Sequence, residues 1–270
     1  MKKVILKGRL FTWFPTTKNS FDKNISPKNE NYYKTKSPLR EKVQRRRNGL
    51  IKLLCSLDKQ PKWFITLIYP QSYSEQNISK RISKDINLLA TRLRRKYQNS
   101  WFVYAIEWSP KSKIHVHFIG KLGMVKNQLR TNISEWWASI TGSNQSNLAN
   151  VRFLGTPEES QSCMGYMTKK AKEKYIPKLL ELMGNKYSYG SVNKNNLPVA
   201  QTKVFEMSDK QFQQLRTACI AELEMSAQLH TTFNQEYHKN RLAYSDSGFH
   251  ISQNADSITG VLNRLSKGVI

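Results

Sequence analysis

The sequence has little of what marks secreted, disulfide-bonded or membrane-embedded proteins. Its three cysteines, Cys55, Cys163 and Cys219, are far apart and lack Cys-x-x-Cys spacing, which argues against a disulfide framework and a zinc knuckle. No run of eighteen apolar residues occurs, and the N-terminus lacks the apolar segment of a signal peptide. We therefore expect a soluble protein in a reducing cytoplasm.

Acidic residues are also scarce, since 19 Asp and Glu face 44 Lys and Arg, for a formal net charge of +25. Such an excess predicts a polyanionic partner. Residues 1–60 carry a net charge of +12, whereas residues 205–270 carry −1. A membrane surface is the competing partner, but the sequence has no lipidation signal and no basic amphipathic helix near the N-terminus. Nucleic acid is the favoured partner.

The N-terminal region, residues 1–58, is interpreted as a basic arm followed by a helix. Residues 1–37 show no sustained hydrophobic period, which is typical of a mobile segment. Residues 39–57 have a helical pattern that contains the triplet Arg45, Arg46 and Arg47. These arginines suit DNA phosphate contacts, although a solvated helix face is the alternative interpretation.

The most informative stretch is a predicted β-hairpin. Residues 102–108 and 114–119 are rich in β-branched and aromatic side chains, and a polar turn joins them. Because strand side chains alternate between faces, His115 and His117 point the same way, and antiparallel pairing can bring Glu107 beside them. Two nitrogens and one oxygen with open positions are typical of a catalytic metal site. Two half-buried polar histidines are the alternative.

The hairpin sits in a predicted α+β domain. An apolar strand at residues 63–69 is followed by an amphipathic helix, the hairpin, a second helix at residues 125–140, a strand at residues 147–153 and a third helix near Glu158. This order predicts an antiparallel sheet with helices on one face, of the ferredoxin-like type. The region from residue 205 onward is predicted to be helical.

The third helix carries the second candidate group. Helical spacing predicts one stripe holding Tyr166, Lys169, Lys170 and Glu173. A tyrosine can attack a phosphodiester if nearby cations stabilise its phenolate, and Lys169 is placed for that. Taken alone, the pattern also fits an ordinary surface tyrosine.

Taken in order, these motifs resemble those of HUH-type endonucleases, in particular rolling-circle replication initiator (Rep) proteins of bacterial phages and plasmids. The resemblance covers about residues 60–185 and implies an HUH-type nuclease domain at residues 59–204. It does not cover the N-terminal arm or the C-terminal region, and the helical region at residues 205–270 is predicted from its hydrophobic pattern alone. The resemblance implies that Glu107, His115 and His117 bind Mg²⁺ or Mn²⁺. It also implies that Tyr166, assisted by Lys169, nicks single-stranded origin DNA and leaves a 5′-phosphotyrosine link.

The sequence departs from the two-tyrosine members of this family. Lys170 stands one helical turn on, where they repeat the tyrosine, and Tyr175 is nine residues away, so we expect a single catalytic tyrosine. Lys170 is a further candidate DNA contact. Tyr187 and Tyr189 either stack on bases or pack a turn onto the domain.

Origin DNA, a host helicase and a host polymerase are the implied partners, in the cytoplasm of a bacterial cell and with no membrane. A relaxase or a transposase of the same superfamily would share this chemistry. The alternative from another class is a non-catalytic DNA-binding protein whose His pair is structural or binds zinc.

Overall fold

The structure, a computed structural model, describes residues 2–7, 10–15, 38–122, 126–169, 176–184, 189–227, 248–251 and 255–266. Lys170, Glu173, Tyr175 and Tyr187 lie outside these ranges. The chain forms two compact units. The larger comprises Glu30–Leu54 and Lys59–Pro198, and the smaller comprises Met1–Asn29, Cys55–Asp58 and Val199–Ile270.

Strands and helices are mixed along the whole chain. The smaller unit contributes strands at both ends of the sequence, and the larger unit contributes the central βαββαβ run. None of the described helices is long and apolar enough to cross a membrane. The elements are β1 (Lys2–Lys7), β2 (Leu10–Pro15), α1 (Pro38–Cys55), β3 (Trp63–Ile68), α2 (Glu75–Lys96), β4 (Trp101–Ser109), β5 (Lys113–Lys121), α3 (Lys126–Thr141), β6 (Ala149–Phe153), α4 (Pro157–Met167), α5 (Ile176–Met183), β7 (Tyr189–Val192), β8 (Thr202–Met207), α6 (Asp209–Ala227), β9 (Gly248–Ile251) and α7 (Ala255–Ser266).

The larger unit is built on a five-stranded sheet in the order β6-β3-β5-β4-β7, with every neighbouring pair antiparallel. The first four of these strands have the arrangement of a ferredoxin-like sheet, and β7 is added at the β4 edge. The predicted α+β class with an antiparallel sheet is confirmed, consistent with an HUH-like fold. The strand β7 was not predicted, because it has only four residues and includes Gly190.

Apolar side chains on one face of this sheet form the main core with α2 and α3. The predicted stripe of α2 is confirmed, because Ile78, Ile82, Ile86, Leu89 and Leu93 are all buried. These side chains share the core with alternate residues of the strands and with α3, whose buried members include Leu129, Ile133 and Trp137. The helices therefore cover one face and leave the other for different contacts.

The smaller unit has its own four-stranded sheet, in the order β8-β1-β2-β9. The mobile basic arm predicted at residues 1–37 is wrong for the described residues 2–7 and 10–15, which form β1 and β2. The sheet has its own small core, which Val4 and Leu6 share with α6 and α7. Local sequence did not indicate these strands, because β1 obtains a pairing partner from β8 far along the chain.

The predicted helices after residue 205 correspond to α6 and α7. The strands β8 and β9 accompany them, so the region is not purely helical. The division into regions at residues 58/59 and 204/205 stays a prediction about independent folding.

Candidate metal centre and active site

The β4–β5 hairpin brings Glu107, His115 and His117 together. Glu107 pairs directly with His115 across the two strands, and His117 lies two residues farther along on the same face. Glu107 Oε2 lies 3.8 Å from His115 Nε2 and 3.7 Å from His117 Nε2. One candidate ligand atom from each residue lies within 4.8 Å of the others. Together they form a possible metal-binding group.

The backbone holds the His115 ring in the orientation that a metal ligand needs. His115 Nδ1 lies 3.0 Å from the carbonyl oxygen of Lys113. Because a carbonyl oxygen only accepts, Nδ1 carries the proton and Nε2 keeps its lone pair towards Glu107. Metal-binding histidines in proteins are usually fixed by such a second hydrogen bond.

His117 is held by the neighbouring strand β3. Its Nδ1 lies 3.0 Å from Thr66 Oγ1, which can accept the Nδ1 proton. Its ring stacks on Phe64 with centroids 5.3 Å apart. The sequence alone indicated no role for Thr66, because its position opposite His117 follows only from the register of β3 with β5.

His117 Nε2 is buried and has no hydrogen-bond partner in the part of the chain that the structure describes. An unpaired buried acceptor is unfavourable, and a cation beside Glu107 would satisfy it. The donor set of two imidazole nitrogens and one carboxylate oxygen suits a divalent metal ion, with positions left for other ligands. The residues present therefore fit a divalent metal ion.

Burial shapes the electrostatics of this cluster. It raises the pKa of Glu107 to about 7, and the nearby Lys169 ammonium opposes that shift. Burial also lowers the pKa of His117 to about 3, and electrostatic interactions with the neighbouring His115 and Lys169 add to the shift. The pKa of His115 is lowered for the same main reason. Both imidazoles thus stay neutral, as metal ligands must, and a bound cation would favour the charged carboxylate.

Helix α4 carries Tyr166 to the edge of the cluster. The helix begins in a capping box, in which Thr156 and Glu159 satisfy each other's backbone amides. The Tyr166 ring meets that of His117 edge-on, with centroids 5.2 Å apart. The side chain remains 45% exposed. A substrate can therefore approach the phenol from solvent while the ring lies beside the candidate metal ligands.

Lys169 lies just beyond α4, so the predicted helical stripe is wrong at this point. The helix ends at Met167, and Thr168 caps it. The turn nevertheless brings Lys169 Nζ to 3.7 Å from the centre of the Tyr166 ring and to 3.9 Å from Glu107 Oε2. The ammonium is thus shared between the phenol and the acidic residue of the cluster.

The arginine triplet lies on α1, where its members differ in exposure. Arg45 is exposed, whereas Arg46 and Arg47 are half-buried. Arg46 Nη1 donates to the carbonyl oxygen of Gly184 at 3.0 Å, and Arg47 Nε donates to that of Thr168. The second bond holds the turn between Tyr166 and Lys169, a role that no local pattern of sequence indicates.

The model of one protein family, described as replication-associated protein ORF2, matches residues 62–175. The matched segment is less than half of the 270-residue chain, and includes the candidate metal ligands, Tyr166 and Lys169. No curated protein and no solved structure gives a significant match. The central segment of this chain is therefore similar to a family of replication-associated proteins, which supports a replication initiator.

Proposed function

We propose that the protein nicks and rejoins single-stranded origin DNA by metal-dependent transesterification through Tyr166, and so starts rolling-circle replication. The observation that carries this proposal is the position of the Tyr166 ring, whose centroid lies 5.2 Å from that of the His117 ring. The Nε2 atom of His117 lies 3.7 Å from Glu107 Oε2 and has no hydrogen-bond partner among the described residues. A tyrosine that can act as a nucleophile, a lysine ammonium and a candidate metal-binding group thus lie close together at a solvent-accessible site. Phosphoryl transfer requires such an arrangement.

In the proposed reaction the phenolic oxygen of Tyr166 attacks the scissile phosphorus. The bond between phosphorus and the DNA 3′ oxygen breaks, the phenol loses its proton, and the leaving oxygen gains one. The products are a 5′-phosphotyrosine link and a free 3′-hydroxyl that a polymerase can extend. Because the covalent link conserves the phosphodiester, the reverse attack rejoins the strand without a nucleotide cofactor.

Glu107, His115 and His117 would hold Mg²⁺ or Mn²⁺, which supplies Lewis-acid stabilisation of the scissile phosphate when bound. The chain's own contribution is to keep both imidazoles neutral and to fix their orientation. The Lys113 carbonyl and Thr66 Oγ1 occupy the two Nδ1 positions, so that both Nε2 atoms are directed at the cluster.

Lys169 assists Tyr166 in this proposal. Its ammonium lies over the tyrosine ring, where a positive charge stabilises the phenolate that forms as the proton leaves. The same charge favours the approach of an anionic phosphate. A single tyrosine serves the reaction, since Lys170 occupies the place of a second one.

The net charge of +25 supports DNA as the partner, with affinity supplied by many basic residues that include the Arg45–Arg46–Arg47 triplet and Lys170. The proposed setting is the cytoplasm of a bacterial cell, with a host helicase and a host polymerase acting on the nicked origin. A relaxase or a transposase would use the same chemistry on a different DNA.

The proposal is tested by trapping the covalent intermediate. A 3′-labelled pool of randomised single-stranded DNA is incubated with the protein and Mn²⁺, and adducts are resolved under denaturing conditions. Because the tyrosine keeps the 5′ phosphate of the downstream fragment, the 3′ label should travel with the protein. We expect EDTA and Tyr166→Phe each to abolish the adduct.

Tyr104→Phe is the matched control, because it removes a tyrosine hydroxyl from strand β4, where the side chain packs against the helix-covered core and away from the metal cluster. It should leave the adduct intact. A wild-type protein that retained the DNA without any adduct would instead be the non-catalytic DNA-binding protein, and the nuclease proposal would be wrong.

A further inference from the structure

The turn of the β4–β5 hairpin holds Lys113 in a backbone conformation that side chains rarely adopt. Residues 110–112 join the two strands, and Lys113 pairs with Ser109 where the strands meet the turn. The φ angle of Lys113 is +49°, in the left-handed region that favours glycine. Three-residue hairpin loops commonly need one residue in this region. Glycine would meet that need better, so the backbone alone does not explain a lysine here.

The Lys113 ammonium is bonded to the loop between β3 and α2. Its Nζ donates to the carbonyl oxygens of Gln71 and Tyr73, at 3.3 and 3.4 Å. Both distances are slightly longer than usual, but a charged donor binds a carbonyl more strongly than a neutral donor does. The side chain thus joins the hairpin turn to a segment that lies 40 to 42 residues earlier in the chain.

That loop is itself held by several hydrogen bonds. The Tyr73 amide donates to the Pro70 carbonyl at 3.0 Å, and the Tyr73 hydroxyl donates to the Thr141 carbonyl at 2.7 Å. The same hydroxyl accepts from Arg81 Nη1 of α2 at 2.8 Å. Because α2 and the end of α3 both hold Tyr73, its carbonyl gives the Lys113 ammonium a fixed partner.

The backbone of Lys113 acts directly on the metal cluster. Its carbonyl oxygen lies 3.0 Å from Nδ1 of the buried His115 ring, and the opposite ring nitrogen lies 3.8 Å from Glu107 Oε2. The direction of this carbonyl depends on the backbone dihedral angles at the turn, and the ammonium restrains the same residue from the end of its side chain. Lys113 therefore connects the β3–α2 loop to the orientation of a candidate metal ligand.

We propose that Lys113 is a positioning residue for the metal site. Its ammonium, bonded to the β3–α2 loop, keeps the turn in its left-handed conformation and so keeps the Lys113 carbonyl on His115 Nδ1. The inference rests on the proposed function only in taking the cluster of one glutamate and two histidines as a metal site, and it requires no nicking. Such second partners of metal-binding histidines commonly change metal affinity by about ten- to a hundredfold.

A manganese titration followed by electron paramagnetic resonance tests the proposal, because it measures free Mn²⁺ without DNA. Lys113→Met keeps the length of the side chain but removes the ammonium, and we expect Mn²⁺ affinity to fall about tenfold. Lys113→Arg, which can still donate to both carbonyls, should recover most of the affinity. Lys111→Met is the matched control, since Lys111 is exposed in the same turn, and it should leave the affinity unchanged.

Lys113→Gly separates the ammonium from the backbone conformation. Because glycine adopts a positive φ without a Cβ penalty, this variant should melt at a higher temperature than Lys113→Met. We expect the two variants to lose Mn²⁺ affinity equally, since both lack the ammonium. A purely structural role would instead make the affinity follow the melting temperature, and full affinity in Lys113→Gly would overturn the proposal.

The His115 imidazole gives a readout that needs no metal. Nitrogen-15 NMR of the apo protein distinguishes the two neutral tautomers of each histidine. In the wild-type protein His115 should carry its proton on Nδ1, whereas in Lys113→Met both tautomers should appear, because the accepting carbonyl is no longer held in place. An unchanged tautomer or an unchanged Mn²⁺ affinity in Lys113→Met would overturn the proposal.

These measurements separate the inference from the proposed function. If the wild-type protein bound Mn²⁺ but formed no DNA adduct, the nuclease proposal would fall, and the Lys113 variants would still decide the positioning role. If it bound no Mn²⁺, the metal-dependent function would fall, and the His115 tautomer would decide whether Lys113 orients the ring. DNA adduct formation together with full Mn²⁺ affinity in Lys113→Met would support the nuclease and contradict this inference.

Discussion

The two faces of the five-stranded sheet use neighbouring residues for opposite purposes. On the face that α2 and α3 cover, Ile65 pairs with Phe118, and both are almost completely buried in the apolar core. One residue earlier on β5, His117 pairs with Thr66 on the other face and is equally buried, yet its Nε2 has no hydrogen-bond partner among the described residues.

One face of the sheet thus stabilises the fold, and the other face holds the side chains of the candidate metal site. Burying an apolar ring stabilises the fold, whereas burying an unpaired imidazole beside a carboxyl group destabilises it. The shifted pKa values of Glu107 and His117 express that unfavourable burial. A bound cation would remove the penalty, so the polar face becomes stable when it is loaded.

The largest effect should come from His117→Ala. Removing one candidate ligand should lower nicking by roughly four orders of magnitude, because metal-assisted stabilisation of the phosphate is lost with it. DNA affinity should stay within about threefold, since it arises mainly from Lys and Arg. Covalent-adduct assays and fluorescence anisotropy measure the two quantities, and a parallel loss of both would contradict the division between the faces.

The substitution Phe118→Ala, at the position next to His117, should lower the stability of the fold. Deleting a fully buried aromatic side chain lowers the free energy of unfolding by about 3 to 5 kcal/mol. Urea denaturation measures this value, and His117→Ala provides the comparison at the adjacent position. If His117→Ala destabilised the apo protein as much as Phe118→Ala does, the two faces would not differ as described.

Metal binding should stabilise the wild-type protein. At a hundredfold excess over its Kd, Mn²⁺ should add about 2.7 kcal/mol to the free energy of unfolding, because the unfolded chain lacks the assembled ligands. Thermal melting with and without Mn²⁺ measures the shift. His117→Ala should lose the shift, and an undiminished shift in that variant would place the metal elsewhere.

The smallest effect is expected from Thr66→Val. This substitution keeps the shape of the side chain but removes the oxygen that orients His117, and such partners usually change metal affinity or activity at least tenfold. Manganese titration and adduct yield measure it, and Thr66→Ser should recover function. Thr91→Val on α2 is the matched control, since the Thr91 hydroxyl donates to a carbonyl of its own helix and accepts from Arg94, away from the cluster.

Local pattern was sufficient for most of the larger unit. The predicted hairpin placed Glu107, His115 and His117 on one face, and the apolar stripe of α2 is buried as expected. Local pattern was not sufficient for β1, β2 and β7, since short strands are decided by partners that lie far away in sequence. The local pattern also predicted that α4 continues past Met167, whereas the helix ends at Met167 and Thr168 caps it.

The sequence by itself determined which side chains share a strand face or a helix stripe, because the periods of 2 and 3.6 are properties of the local backbone. Only the tertiary structure decided that Tyr166 meets His117, that Lys169 turns back to Glu107, and that Arg47 reaches the Thr168 carbonyl. Those contacts depend on how helices pack on the sheet and on where the chain turns. Residues far apart in the chain settle both, so no local period encodes them.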